Sequence, residues 1–307
     1  MSKPKLGIAL GGGAARGWAH IGVLQTLIKA GFELDIIVGT SIGAVAGGCF
    51  IVGKIDQLED FARGLTRRRI FNFLDFNLAG SGLITGQRLC DKLDTHLEGF
   101  RIEDLNKSFA AVATELGTGH EVWLKRGRLV DAMHASYALP GIFRPVNIGG
   151  RWLIDGALVN PIPVSVCRAL GAQVVIAVNL HNETYGKGGI IPDHGTTTEL
   201  VAAEDDSQVV NRGNGRAALH LLHRQFFGRG DGAPGISTVM VEAFNITQDR
   251  IARARLAGDP PDLMIAPQLT GIGLFDFHKA DYAISAGIDA TEKMLDEVER
   301  TVSAMAA

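Results

Sequence analysis

The sequence predicts an α/β fold, on three observations. Two short apolar runs, Leu6 to Leu10 and Ile36 to Val38, read as buried strands, and each is followed by a glycine-punctuated turn and a helical pattern. Further strand-like and helix-like segments alternate as far as the C-terminus. With 307 residues, 46% of them apolar, the chain can bury a large core, and a single domain over residues 1–307 is the expectation.

The first turn, Gly11-Gly12-Gly13-Ala14-Ala15-Arg16-Gly17, leaves several backbone N–H groups uncovered. It opens a helix marked by Trp18, Ile21, Leu24, Leu27 and Ile28, with Gly31 as its C-terminal cap. Trp18 reads as a core residue of that helix, and His20 as a packed or surface histidine. The second turn, Gly39-Thr40-Ser41-Ile42-Gly43, lies between a strand and the apolar helix Ala44 to Val52, which is the setting of a nucleophile elbow. A serine on so tight a turn is held in strained geometry, and Gly39 and Gly43 remove the side chains that would crowd it. The following helix points its free N–H groups and positive dipole end at the same place.

A helix capped by Asp56 is expected to run to Leu65, ahead of Thr66-Arg67-Arg68-Arg69. The arginines read either as a solvated helix end or as a patch for anionic phosphate. Phe71, Phe73, Leu74, Phe76 and Leu78 suit a core segment or the wall of an acyl pocket. Thr85 caps a helix through Leu89, Leu93 and Leu97 that Gly99 stops. Phe109 to Thr114 and Glu121 to Leu124, joined by Gly117-Thr118-Gly119, read as a hairpin or as adjacent strands, and Leu129 to Leu139 as a helix ended by Pro140-Gly141. Ser136 in that helix lacks the flanking glycines of a nucleophile. The strand Arg151 to Ile154 delivers Asp155 just before Gly156, and Asn160-Pro161-Ile162-Pro163 leads into a helix through Leu170 and the strand Val174 to Leu180.

The texture then changes, with clustered glycines, threonines and an acidic patch, so that residues 183–235 read as a mobile insertion or lid. Within it, Ala217 to Phe227 suits either an interfacial patch or a core-packed helix. A helix over Ile236 to Leu256, a strand over Leu263 to Ala266 and one closing helix over Ala280 to Val302 complete the chain.

Composition narrows the function classes. The net charge of −3 exerts no pull toward nucleic acid, and there is neither zinc-finger spacing nor a basic helical stripe. Cys49, Cys90 and Cys167 are odd in number and set among apolar neighbours, which suits a reducing compartment and places the protein in the cytoplasm. Lys3 and Lys5 imitate a secretory leader, but cleavage near Ala14-Ala15 would remove the glycine loop. No window reaches the roughly 18 uninterrupted apolar residues of a membrane span.

A serine hydroxyl needs a base within hydrogen-bond reach. His278 is late enough in the chain to complete a Ser-Asp-His order, and Asp155 is its rival, although Asp155-Gly156 also reads as an ordinary turn. A glycine loop between strand and helix also suits a nucleotide phosphate, which would make this a binding or regulatory protein; against that, the loop has no Walker lysine.

Taken together and in order, these motifs resemble bacterial patatin-like phospholipases. The resemblance rests on the glycine loop with Arg16, the elbow around Ser41, and the segment Ala135-Ser136-Tyr137-Ala138-Leu139-Pro140-Gly141 with Phe143 and Pro145. It continues through Asp155-Gly156-Ala157 and Asn160-Pro161, spanning about Lys5 to Leu180. It implies a three-layer α/β/α arrangement around a mainly parallel sheet and a Ser41-Asp155 dyad without histidine, leaving His278 a bystander. An oxyanion hole follows from the N–H groups of Gly11, Gly12, Gly13 and Ala14, with Arg16, Gly39, Gly43 and Gly156 in support. The expected substrate is a lipid or acyl ester met by transient membrane-surface contact at the inner face, with no metal and no cofactor. A regulatory member with little turnover is the other expectation.

Overall fold

The computed structural model describes residues 3–66, 95, 97, 99–181 and 236–306. The chain divides into two compact units, residues 1–183 with 247–307, and residues 184–246. In the first unit, strands β1 (Leu6–Leu10), β2 (Ile36–Thr40), β3 (Ser108–Glu115), β7 (Val174–Val178) and β8 (Leu263–Ile265) form a parallel set in the order β3-β2-β1-β7-β8. Strands β4 (Glu121–Leu124), β5 (Val146–Ile148) and β6 (Arg151–Asp155) add an antiparallel arm beyond β3.

Alternation along the strands divides the core between two faces, as a two-residue period requires. Leu6, Ile8, Leu10 and Ile37 turn to one side, where helices α1 (Ala19–Lys29), α2 (Ile42–Ile51), α4 (Leu129–Tyr137) and α7 (Ala280–Glu292) contribute Leu24, Ala44, Met133 and Ile284. Ala9, Ile36 and Val38 turn to the other, against Val166 and Cys167 of α5 (Val164–Ala169) and Ala252 of α6 (Ile236–Gly258). Both faces of the parallel set are therefore covered, giving three layers around a mixed sheet. Helices α1 and α7 cross closely: a Cβ on Gly22 would overlap the Ile284 carbonyl, and one on Gly287 the Ala19 carbonyl.

Three expectations are corrected. Helix α3 (Ile55–Arg63) starts two residues early, behind Lys54 and with no side-chain cap, and Asp56 accepts instead from Gln25 Nε2 at 3.2 Å. The closing helix is two, α7 and α8 (Leu295–Ala306). The break adjoins buried Thr291, whose hydroxyl donates to the Gly287 carbonyl at 2.7 Å, a back-bond that bends helices. The final strands end early, β7 at Val178 and β8 at Ile265. Cys90, Arg67 to Arg69, the Phe71 to Leu78 stretch, the Thr85 cap, residues 183–235 and Ala217 to Phe227 lie outside the described residues.

Candidate active site

The register of β3 explains how two distant residues meet. Val112 pairs with Thr40 of β2 and with Trp123 of β4, while the next residue, Ala113, pairs with Asp155 of β6 and with Val122 of β4. Since β4 occupies one edge of β3 at both positions, β2 and β6 share the other edge. They approach head-on, one parallel to β3 and one antiparallel, and their last residues stop at neighbouring rungs. Thr40 hands over to Ser41 there, and Asp155 ends β6 beside it.

Ser41 Oγ donates to Asp155 Oδ2 at 2.7 Å, and both residues are buried, Asp155 to 1% exposure. Ser41 takes φ 56° and ψ −125°, a left-handed conformation that a non-glycine residue occupies only under constraint. The constraint is visible. A Cβ on Gly43 would overlap the Leu10 carbonyl, and one on Gly39 would overlap the Gly43 and Ala44 backbone, so the turn packs directly on β1 and on itself. The Ser41 carbonyl starts α2 by accepting from Ala44 N at 2.9 Å.

Asp155 is held from three sides. Its Oδ1 accepts from Ala157 N at 2.8 Å, its N donates to the Ala138 carbonyl at 3.0 Å, and its carbonyl accepts from Thr114 Oγ1 at 2.9 Å. Gly156 lets the chain turn against β3, where a Cβ would overlap the Val112 carbonyl. Burial pushes the Asp155 carboxyl up to about 7, against the opposing pull of the Ala157 N–H and the Ser41 hydroxyl.

Ser136 enters this site unannounced. It is fully buried; its Oγ accepts from Ser41 N at 2.9 Å and donates to the Val112 carbonyl at 2.6 Å. The strained turn points the Ser41 N–H out of the ladder, and this hydroxyl satisfies it. The end of α4 thus touches both partners, Ser41 through Ser136 and Asp155 through Ala138. Sequence reasoning set Ser136 aside as a nucleophile and missed this role, for which the segment Ala135 to Gly141 was the available signal.

The glycine loop lies against Ser41: a Cβ on Gly12 would stand 3.5 Å from Ser41 Cβ and 3.3 Å from Ala157 Cβ. Of the four N–H groups offered by Gly11 to Ala14, two are engaged, Gly11 N with the Val178 carbonyl at 3.2 Å and Gly12 N with the Pro161 carbonyl at 2.9 Å. Among the described residues, nothing accepts from Gly13 N or Ala14 N. Ala14 also sits in left-handed geometry, φ 48°. Arg16 anchors the loop from behind, Nε donating to the Ile272 carbonyl at 3.0 Å.

Two histidines bond this loop. His20 Nε2 lies 2.7 Å from the Gly11 carbonyl and His181 Nε2 3.0 Å from the Gly12 carbonyl, and both rings are buried. Burial lowers each to about 4, and the Arg16 charge adds to the effect at His181. Both are therefore neutral at ordinary pH. His278 sits on the turn Phe277–Lys279, whose Phe277 carbonyl accepts from Trp18 Nε1 at 3.2 Å; Ser41 Oγ is bonded to Asp155 instead. Among the described residues no group of three or more His, Cys, Asp or Glu side chains could hold a metal ion.

Comparison with known proteins gives a consistent result. The model of the family described as patatin-like phospholipase matches residues 8–168. An uncharacterized NTE family protein of Mycobacterium tuberculosis is 31% identical over 97% of this chain and 93% of its own length. A second from that organism is 30% identical over 92% of this chain and 45% of its own. In fold, the chain is similar to the crystal structure of VipD from Legionella pneumophila, with a TM-score of 0.55 at 16% identity, covering 96% of this chain and 67% of that one. The matched stretch holds the elbow, the end of β6 and the glycine loop, and on that footing the chain belongs to the patatin-like phospholipase family.

Proposed function

We propose that the protein is a serine hydrolase of lipid acyl esters that works through Ser41, Asp155 and an acyl-enzyme. The observation that carries this reading is the 2.7 Å hydrogen bond from Ser41 Oγ to Asp155 Oδ2 at a strained, buried elbow. A carboxylate of ordinary pKa, about 3.9, would be a weak base toward a serine hydroxyl. Burial raises this one to about 7, near the pH at which it would work. As Ser41 Oγ attacks the ester carbonyl carbon, its proton passes to Asp155 Oδ2. The carbonyl oxygen becomes an oxyanion facing the open N–H groups of Gly13 and Ala14. Collapse of that intermediate breaks the ester bond, and the departing alcohol takes the proton from Asp155. Water then attacks the acyl-enzyme, gives its proton to Asp155, and releases the acid as the proton returns to Ser41.

Family membership supports a lipid ester as substrate, and such a substrate would be met at a membrane surface by transient contact. Buried, unpaired Cys49 and Cys167 support action in the reducing cytoplasm. The test is labelling with a fluorophosphonate, together with incubation on a total lipid extract read by mass spectrometry. Label on Ser41 and fatty-acid release, both lost in Ser41→Ala, are expected. Release that persists in Ser41→Ala would sink the dyad, and nucleotide binding by an unlabelled protein would favour the regulatory reading.

A further inference from the structure

Ser41 and Asp155 account for the nucleophile and the base, but not for what aims the groups facing the oxyanion. The loop that faces it has three glycines and little stiffness of its own. Its peptide planes are nonetheless pinned. The Gly11–Gly12 plane is held at both ends, its carbonyl on His20 Nε2 and its N–H on the Pro161 carbonyl. The Gly12–Gly13 plane is held at one end only, its carbonyl on His181 Nε2 at 3.0 Å. A carbonyl oxygen can only accept, so His181 must carry its proton on Nε2. In a planar trans peptide the C=O and N–H bonds point in opposite directions. With the carbonyl turned to His181, the Gly13 N–H faces the other way and, among the described residues, stays unengaged, next to the residue, Gly12, that abuts Ser41.

We propose that His181 is a positioning residue for the reaction: by donating to the Gly12 carbonyl it aims the Gly13 N–H at the developing oxyanion. This rests on the function proposed above. His181 is suited to the task by its own fixation. It is 7% exposed, its backbone N donates to Asn179 Oδ1 at 2.9 Å, and its ring is hydrogen-bonded by the Gln248 side chain. Because the ring titrates near 4, it stays neutral and donating through the range in which Asp155 works. The bond at the carbonyl also polarises the peptide, strengthening the N–H at its far end.

The experiment compares His181→Leu, which removes the donor, with His181→Gln, which restores an N–H at similar reach, on a soluble short-chain ester. Deleting an oxyanion donor slows reactions by about 10²–10³, and a misaimed donor should cost less, so kcat of His181→Leu is expected to fall about 10- to 100-fold with KM within about twofold. The rate of phosphonylation of Ser41 by a fluorophosphonate should fall in parallel, since that adduct also places negative oxygen in the hole. His181→Gln should recover most of both rates, and the pH midpoint set by Asp155 should not move. Equal losses in both variants, an unchanged kcat in His181→Leu, or a loss confined to KM would overturn the proposal. If His181→Leu does not fold, His181→Asn takes its place, its amide being too short to reach the carbonyl, and an Asn variant as active as the Gln variant overturns the proposal. Ser41→Ala run alongside separates the two readings. If it remains active, the site is misread; if it is inactive while His181→Leu keeps full kcat, only the role of His181 fails.

Discussion

The parallel set of the sheet and its antiparallel arm meet at the active site and are built differently. In the parallel set, β1, β2 and β7 are buried along their whole lengths beneath helices on both faces, and Ser41 emerges from a turn packed directly on β1. In the arm, β5 has only three residues and Trp152 of β6 is 54% exposed, yet this arm supplies Asp155. The two partners are accordingly held by different means. Ser41 is fixed mainly by steric closure of backbone on backbone, and Asp155 mainly by hydrogen bonds, accepted from Ala157 N and Thr114 Oγ1 and donated to the Ala138 carbonyl.

The largest effect expected on catalysis from the arm is that of Asp155→Asn, nearly isosteric but unable to accept a proton, which should lower kcat by about 10²–10⁴. The same substitution should raise stability, with a defined sign. The carboxyl titrates near 7 in the fold and near 3.8 when unperturbed, so between these values the native state holds a proton that the unfolded state has released. Wild-type stability therefore falls as pH rises through that window, and the gain in Tm of Asp155→Asn over wild type should grow from pH 4 to pH 7 and then level off. Wild-type kcat/KM should rise over the last part of that window and reach a plateau above about 7. A larger loss of kcat in His278→Ala than in Asp155→Asn would instead point to a Ser-Asp-His arrangement.

Next in size come the two glycines that let backbone touch backbone. Gly43→Ala sets a methyl group against the Leu10 carbonyl within a fully covered sheet, and should destabilise the fold by about 3 kcal/mol or more. Gly156→Ala meets the Val112 carbonyl in the same way, but the short arm can shift, so a smaller loss of stability with a larger loss of kcat is expected. Equal losses in denaturant titrations would erase the contrast between the two halves.

Ser136→Ala should have a smaller effect. It strips the Ser41 N–H and the Val112 carbonyl of their partner, and a buried donor left unsatisfied costs about 1–3 kcal/mol. Activity should fall several-fold, far short of the loss in Ser41→Ala, and hydrogen exchange at the Ser41 amide should quicken. At the bottom of the scale, Trp152→Ser on the arm's exposed surface should change stability by no more than about 0.5 kcal/mol. A loss of 2 kcal/mol or more would show that the arm depends on its surface aromatics.

The sequence alone established the α/β class and the strand-turn-helix around Ser41, because these features are local, whereas the pairing with Asp155, 114 residues away, came only through the family resemblance. A glycine on each side of a serine after a strand has a steric meaning that needs no distant partner. It also placed β3, β4, β6 and α4 within a residue or two, since each is bounded by its own turn residues. Only the tertiary structure set β2 and β6 end to end along one edge of β3, because which strands become neighbours depends on partners far away in the chain. The same holds for Ser136 and His181, which touch the elbow and the glycine loop from 95 and 169 residues away. It also decided which loop N–H groups stay open, since the carbonyls of Val178 and Pro161 that engage Gly11 and Gly12 belong to segments the loop meets only when the chain is folded. Crowding within one turn acts between neighbours in the chain and can be read there; hydrogen-bond partners, and the backbone that a distant glycine must clear, are chosen in space.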